Sequence, residues 1–363
     1  MTAEALPAIP LPPTSEPRRR RRASPEDARR SFVATFFAVA LVAAFLSPLV
    51  RAATVSVKTS EQISQPNSPI YPADPATYTY QGKDYELFQV PIDGKERAMA
   101  LVTRGRNESQ FVDPARPDAG LVTWQGSWRS LDRVWNFAPH FDNYSQVWNL
   151  INYPRLLFNT IVLAAVGTIG NVLSCLLVAY GFARFRFPGR GLLFTVLLAT
   201  IFLPAAVTLI PTYTIFLKLG WVGTWLPLLV PAFLANAYDV FLLRQYLMTL
   251  PPELDEAAAI DGAGPLRTLI SVVLPQAWPG VIAVSVFSFV YSWNDYFNPL
   301  IYLSTAPDLQ PLSVGLAAFN GIHYRSPALI QAGTLMTLVI PVLLFIIFQR
   351  VFTRGIVISG VEK

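Results

Sequence analysis

Charged residues are scarce in this 363-residue chain. Lys, Arg, Asp and Glu together make up 14% of it and apolar residues 53%, whereas charged residues are about a quarter of an ordinary soluble domain. This composition excludes an ordinary soluble domain and favours a membrane protein. The net charge of +5 is small and its clustered part lies at the N-terminus, so we do not expect a nucleic-acid partner.

Cysteine and histidine are almost absent. Cys175 is the one cysteine of the sequence, which excludes an internal disulfide. His140 and His323 are the two histidines, and neither has cysteine or clustered acidic residues at ligand spacing. The sequence therefore predicts no metal site.

A phosphate-binding P-loop is also missing. That loop needs a glycine-rich turn ending in Gly-Lys and then Ser or Thr. The two Gly-Lys pairs of the chain, at 82–83 and 94–95, are followed by Asp84 and Glu96. We therefore predict that this chain is not an enzyme that hydrolyses ATP by that route, and that it binds no cofactor.

Long apolar segments are abundant, and six of them suit a bilayer. Arginine follows several of the predicted inner ends, so the positive-inside rule places both termini in the cytoplasm. The predicted fold class is an all-α polytopic membrane protein with six transmembrane helices and a small β-rich extracytoplasmic insertion. The segments are 32–50, 157–182, 192–216, 226–247, 278–303 and 332–352.

The chain divides into four predicted regions. Residues 1–30 are Pro-rich and then basic, which is typical of a disordered cytoplasmic tail. Residues 31–51 form transmembrane helix 1, and residues 52–150 form the insertion, because short alternating apolar runs in it predict strands. Residues 151–363 form a five-helix core. The sequence around Arg29 and Arg30 also resembles a twin-arginine leader, so cleavage after helix 1 is a competing interpretation.

A polar stretch at 250–276 interrupts the apolar core. Glu253, Asp255 and Glu256 follow a Pro-Pro pair and place negative charge on a first helical turn, where the helix dipole favours it. Gly262 permits the left-handed backbone that ends such a helix. A second short helix with one apolar face follows, and Pro275 is expected to break it. The prediction is two short helices joined by a glycine elbow.

This stretch resembles the EAA loop of binding-protein-dependent ABC transporter permeases. The match consists of Glu256-Ala257-Ala258, then Asp261-Gly262, nine further residues to Val272, and Leu274-Pro275. Val272 departs from the usual Ile of the family. In that family the loop is a cytoplasmic coupling helix that docks on an ATPase subunit. The alternative is an amphipathic hairpin that packs on the membrane surface.

Other segments are similar to carbohydrate permeases of the maltose type. They include Asn159-Thr160, the run 179–190, Leu242 to Gln245, and Trp293-Asn294-Asp295 with Pro299-Leu300. The resemblance covers residues from about 153 to the end plus span one, and it favours an uncleaved membrane anchor. It implies an inner-membrane permease subunit that imports a mono- or oligosaccharide. The implied partners are a dimeric ATP-binding cassette ATPase that hydrolyses the ATP, a second permease subunit, an extracytoplasmic solute-binding protein and membrane lipid.

The fifth predicted span carries a polar stripe of serines that ends at Asp295. An ionisable residue within a membrane is expensive, so Asp295 is expected to face protein or water. Carboxylate and amide oxygens suit sugar hydroxyls, and the resemblance implies that Trp-Asn-Asp lies at the pore-forming core, so Trp293, Asn294 and Asp295 are candidates for the substrate path. The serines also suit bonds between helices. Two alternatives remain open, namely an ion-coupled secondary transporter that uses Asp239 and Asp295, and an ABC permease for a non-sugar solute.

Overall fold

The computed structural model describes residues 25–92, 94–321 and 326–357, with the backbone alone at 25–28, 205 and 351–357. Most of the predicted N-terminal tail, His323 and residues 358–363 lie outside the described residues. The chain forms two compact units, Met1–Arg51 and Ala52–Lys363. The described part of the first is helix α1 (Pro25–Ser56), which runs a few residues into the second unit. The first unit thus contains one apolar helix whose large side chains are exposed.

The segment after α1 contains a short helix and seven strands. Strands β2 to β6 form one antiparallel meander in the order β2-β3-β4-β5-β6, and β1 pairs with β7 in a second sheet. Ile92 lies opposite Lys95 in the β3–β4 hairpin, and Gly94 has φ +74° there; Asp93 is outside the described residues. The elements are α2 (Ser60–Ser64), β1 (Ala73–Pro75), β2 (Thr77–Tyr80), β3 (Lys83–Ile92), β4 (Lys95–Thr103), β5 (Glu108–Val112), β6 (Leu121–Gln125) and β7 (Trp135–Phe137).

The sheet has a small apolar core of its own. Alternate residues of three neighbouring strands point to one face, so that face buries Phe88, Met99 and Phe111. Beside the sheet, Lys58 Nζ donates to the Pro69 carbonyl at 2.7 Å, and burial lowers the pKa of this lysine. This segment is therefore a packed sheet with an apolar core and not an open loop.

The described residues after the strands are mostly helical, with short 3₁₀ segments and a π-helical turn at Leu269–Val273. The 3₁₀ segments that matter below are Thr200–Phe202 and Val230–Leu234. The helices are α3 (Asp142–Leu150), α4 (Tyr153–Arg184), α5 (Arg190–Ala199), α6 (Ala205–Lys218), α7 (Leu226–Leu229), α8 (Ala237–Thr249), α9 (Glu253–Ile260), α10 (Pro265–Thr268), α11 (Leu274–Trp293), α12 (Phe297–Tyr302), α13 (Leu312–Ala317) and α14 (Pro327–Val357).

Within the described residues, five helical stretches are long and apolar enough to cross a membrane. A sixth span is reached if α5 and α6, which are bent by 99° relative to each other, count as one. The bend lies at Pro204, which lacks an N–H and keeps Leu203 extended at ψ 117°. The five stretches are Arg29–Ser56, Tyr153–Arg184, Leu226–Thr249, Pro265–Trp293 and Pro327–Arg350.

The predicted helix break at Pro275 is wrong. A single stretch runs from Pro265 through the π-helical turn to Trp293, so the fifth span begins earlier and ends earlier than 278–303. Pro275 occupies the first turn of α11, where the π-helical turn already shifts the bonding: Leu274 N–H donates five residues back to Leu269. The Gln276 side chain donates to the Val272 carbonyl at 3.2 Å. Proline is tolerated here because its missing N–H falls in a turn that is already irregular.

Two apolar clusters hold the helical core together. The larger one joins α4, α8 and α11 through Leu176, Leu243 and Val281, among others. The second joins α3, α4, α13 and α14. Gly167 of α4 leaves room for α11, since a Cβ there would lie 3.5 Å from Ser292 Oγ. Helices α4 and α11 therefore form the centre to which the functional features below are attached.

Candidate functional site: an exposed loop and a polar cavity

A complete Schellman cap ends helix α9. The Gly262 N–H donates to the Ala259 carbonyl at 3.0 Å, and the Ala263 N–H donates to the Ala258 carbonyl at 2.9 Å. Gly262 has φ +77°, a left-handed conformation that glycine adopts without steric cost. The predicted glycine elbow is thus formed at the expected residue, and the chain turns there into α10.

The loop presents apolar side chains to the outside. Ile260 is 87% exposed, Leu266 61% and Ile270 56%, although each is apolar. Glu256, Ala257, Asp261 and Gly262 are also exposed. A soluble surface carries such residues singly, but a group around one elbow is typical of a surface that another molecule covers.

One side of α9 is tied to the end of α4. Asp255 accepts a hydrogen bond from the Tyr180 hydroxyl at 3.1 Å and lies 3.0 Å from Arg184 Nε. Arg184 also donates to the Leu250 carbonyl at 3.1 Å. The loop therefore has an anchored face, where Ala258 is buried, and a free face that carries Ile260.

The remaining predicted coupling residues lie away from the elbow. Leu274 is half-buried and packs against the larger apolar cluster, and Pro275 is exposed at the start of α11. The structure therefore brings together Glu256, Ala257, Ala258, Asp261 and Gly262. It places Leu274 and Pro275 beyond the π-helical turn, on the helix that leads to the membrane core.

A cavity of about 980 Å³ lies among α4, the two bent helices, the α7–α8 region and the far end of α11. Aromatic side chains line part of it, including Phe216, Tyr291 and Tyr302. Amide, hydroxyl and carboxylate groups line the rest, among them Asp239 and Asp295. A cavity of this size and mixed lining is typical of a small-molecule site.

A hydrogen-bond network around the buried Asp239 forms part of the wall of this cavity. Asp239, only 6% exposed, accepts from the Asn171 amide at 2.6 Å and from the Asn236 amide at 2.7 Å through the same oxygen. Asn171 also donates to Ser288 at 3.1 Å and accepts from Asn236 at 2.7 Å. The network joins α4, α8 and α11, so it fixes three helices around one carboxylate.

The network depends on a break in the fourth span. Ala235 has φ +60° and ψ 149°, a conformation that side-chain-bearing residues rarely adopt. The broken backbone is satisfied by Ser174, whose hydroxyl accepts from the Ala235 N–H at 3.1 Å and donates to the Ala232 carbonyl at 3.2 Å. Asn236 then caps α8 by accepting from the Asp239 N–H. Irregular backbone in a membrane protein is tolerated where it lines a cavity, as Ala235 and Asn236 do here.

The three predicted substrate-path residues are separated by the structure. Asp295 lines the cavity and accepts two hydrogen bonds from Asn298. Trp293 is buried and stacks on Phe289, while Asn294 is exposed and donates to its own helix. The serine stripe is divided as well: Ser285 bonds within α11, whereas Ser288 and Ser292 contact α4.

Sequence reasoning overlooked Asn236 and the contact of Asn171 with Asp239. The local signal for the first was present, since Asn followed by an acidic residue three positions later is typical of a helix start. Within the described ranges, no group of three or more His, Cys, Asp or Glu side chains is placed to hold a metal ion.

Broken membrane helices around a polar cavity, with an exposed helical elbow on the central helix, define a membrane transport component. Comparison with known proteins then places the chain in a family. Residues 170–356 match the family described as binding-protein-dependent transport system inner membrane component. The chain belongs to this family and is the permease component of a binding-protein-dependent ABC importer, which confirms the resemblance to permeases of this class.

Individual relatives agree with this placement. The chain is 30% identical to the osmoprotective compounds uptake permease protein GgtD of Synechocystis sp., over 70% of this chain and 85% of the relative. It is 35% identical to the sn-glycerol-3-phosphate transport system permease protein UgpE of Yersinia enterocolitica, over 61% of this chain and 82% of the relative. These relatives are permease subunits and not enzymes.

One solved structure shares the fold. The crystal structure of a bacterial ABC transporter involved in the import of the acidic polysaccharide alginate aligns with a TM-score of 0.61, over 90% of this chain and 98% of that chain. The identity is 18%, so the alignment supports the fold alone.

Proposed function

We propose that the chain is one of two permease subunits that together import a sugar or a sugar derivative into the cytoplasm. A separate ATPase dimer supplies the energy, and an extracytoplasmic binding protein delivers the solute. The observation that carries this proposal is that one helical stretch, Pro265–Trp293, has the exposed elbow at its start and the polar cavity at its end. A displacement of the elbow would therefore be transmitted to the cavity wall.

The elbow is proposed to dock on the ATPase. Ile260 and Leu266 supply an apolar contact that this chain leaves uncovered, and Glu256 supplies an exposed charge beside it. Asp255 keeps α9 attached to α4 through Tyr180 and Arg184. A force on the elbow would thus be resisted by the contacts between α9 and α4, and it would be transmitted along α11.

The cavity is proposed to be this subunit's share of the solute path. The exposed ring of Tyr291 suits the apolar face of a sugar ring, and the Asn and Ser groups suit its hydroxyls. Of the three predicted path residues, Asp295 is the one that lines the cavity. The name of UgpE concerns sn-glycerol-3-phosphate, whose glycerol part carries hydroxyl groups, and this supports a hydroxylated solute.

The proposed topology has six spans, with α5 and α6 together as the third. Both termini and the elbow lie in the cytoplasm, the sheet-containing segment 52–150 lies outside, and helix α1 is retained as an anchor. Single cysteines at Gly94 and Gly262, treated with a membrane-impermeant thiol reagent in intact cells, test this arrangement. Labelling at Gly94 alone is expected. Labelling at Gly262 with protection at Gly94 would overturn the topology.

Transport itself is tested with the purified complex in proteoliposomes. Uptake of a labelled disaccharide panel should require ATP, the binding protein and both permease subunits. Uptake that continues without ATP and follows an imposed proton gradient would contradict the proposal, and it would favour a secondary transporter that uses Asp239 and Asp295.

A further inference from the structure

The charges that line the cavity all have one sign. Asp239 and Asp295 are carboxylates, and the described lining residues include no lysine, arginine or histidine. The other polar groups of the lining are neutral amides and hydroxyls. A low-dielectric cavity lined by charge of one sign concentrates its field and lowers the local concentration of ions of that sign.

Both carboxylates accept hydrogen bonds from neighbouring amide donors. One Asp239 oxygen accepts from two amide groups, and the residue lies in the first turn of α8, where the helix dipole favours negative charge. Asp295 accepts from the backbone and the side chain of Asn298. The cavity wall therefore carries two acidic side chains, each held in place by donors of the protein itself.

The N-terminus of α8 is the feature that would otherwise attract an anion, because broken membrane helices direct positive dipole ends at anionic solutes. Here that end is occupied by the protein itself. Asn236 accepts from the Asp239 N–H at 2.9 Å, and the Asp239 carboxylate lies in the same turn. The helix end is thus already neutralised and offers no anion site.

We infer that this subunit's part of the solute path admits uncharged polyhydroxylated solutes and disfavours phosphorylated or carboxylated sugars. This inference rests on the proposed function. It separates the chain from UgpE, which is 35% identical and is named for a phosphate ester. The selecting groups are Asp239 and Asp295.

The field of the cavity is measurable without transport. In the assembled complex, Tyr291, which lines the cavity and is 76% exposed, is replaced in the variant Tyr291→Cys. Its reaction rates with the cationic trimethylammonioethyl and the anionic sulfonatoethyl methanethiosulfonates are compared. Thr123→Cys, on the exposed side of β6, gives the reference ratio of the cationic to the anionic reaction rate. Cys175 is fully buried, and the parent complex shows its background.

The cationic-to-anionic rate ratio at Tyr291→Cys should exceed the reference by about tenfold. Adding Asp295→Asn should remove a large part of that excess, since the substitution keeps the size and one acceptor oxygen. A ratio equal to or below the reference would overturn the inference. Thr212→Cys provides a second position in the cavity lining. If neither reagent reacted at Tyr291→Cys or at Thr212→Cys, the inference would also be overturned, because a solute path must admit water.

A transport experiment completes the test. Trehalose and sn-glycerol-3-phosphate, offered to the whole complex with its binding protein, are compared as competitors of uptake. Competition by the neutral sugar at concentrations at least about tenfold lower is expected. Stronger competition by the phosphate would refute the charge selection and leave the permease function intact. ATP-independent uptake would refute the proposed function as an ABC importer subunit. The ratio of the cationic to the anionic reaction rate would still report the electrostatic field of the cavity.

Discussion

The elbow that precedes the Pro265–Trp293 stretch and the cavity at its far end differ in what their side chains contact. At the elbow, the side chains of Ile260 and Leu266 are exposed. A Cβ atom added to Gly262 would have no heavy atom within 4 Å. At the cavity, Asp239 and Asn171 are buried and bonded across three helices. The difference predicts that cavity substitutions reduce stability, whereas elbow substitutions reduce coupling in a protein that still folds.

The largest effect is expected at Asp239. Asp239→Ala removes the acceptor shared by the buried Asn171 amide and the Asn236 amide, and it should destabilise the helical core by about 2 kcal/mol, since each amide keeps a second partner. Thermal unfolding of the purified complex measures it. Asp239→Asn, which keeps an acceptor oxygen, is the control and should lose less than half as much. Equal stability of the Ala variant and the parent would contradict the assigned network.

A smaller effect on folding but a clear effect on coupling is expected at Gly262. Gly262→Ala forces a side chain into the left-handed region at a cost of about 1 kcal/mol, and Gly262→Asp does the same with added charge. Both proteins should reach the membrane, with ATP hydrolysis no longer matched to uptake. Gly264→Ala is the control, since Gly264 has φ −73° and the space for a Cβ is open.

The ratio of solute imported to ATP hydrolysed, measured in proteoliposomes, decides this prediction. It should fall severalfold in the two Gly262 variants and stay at the parental value in Gly264→Ala. Parental coupling in Gly262→Asp would show that the elbow is not the coupling element. Equal loss in Gly262→Ala and Gly264→Ala would show that the backbone conformation is not the cause.

The smallest effect is expected where the two regions are connected. Asp255→Asn keeps the Tyr180 bond but makes the mostly buried contact with Arg184 neutral, at a cost of about 1 kcal/mol, because Arg184 keeps its bond to the Leu250 carbonyl. Global stability should scarcely change, whereas proteolysis at the elbow should become faster. Glu253→Gln, on an exposed residue of the same helix, is the control. Unchanged proteolysis would mean that α9 is held by packing alone.

The elbow was predictable from sequence because its determinants are local. Acidic residues, alanines and a glycine within ten positions specify a short helix and its Schellman cap, and Gly262 adopts the expected backbone. Pro275 misled the prediction, since a proline that follows a helical run suggests an end. It lies instead in the first turn of α11, and only the π-helical turn before it shows why.

The cavity was not predictable because its determinants are distant in sequence. Asn171 and Asp239 meet although they are 68 positions apart. The break at Ala235 uses a residue whose type favours a continuous helix, and its backbone is satisfied by Ser174 from another span. A polar stripe was visible on the fifth span, but the partner of each serine depends on how α4 packs against it. Asp295 was identified, whereas the carboxylate at the centre of the network was considered only as an ion relay.

The central claim is that the free face of the elbow docks on an ATPase while the cavity end of the same helix faces the solute. Ile260→Cys, on the most exposed apolar residue of the elbow, tests it directly when crosslinked in the assembled complex with a short bifunctional thiol reagent. The account predicts a crosslink to the ATPase subunit, and none from Tyr291→Cys in the cavity. A crosslink from the cavity cysteine, or none from Ile260→Cys with the ATPase present, would contradict it.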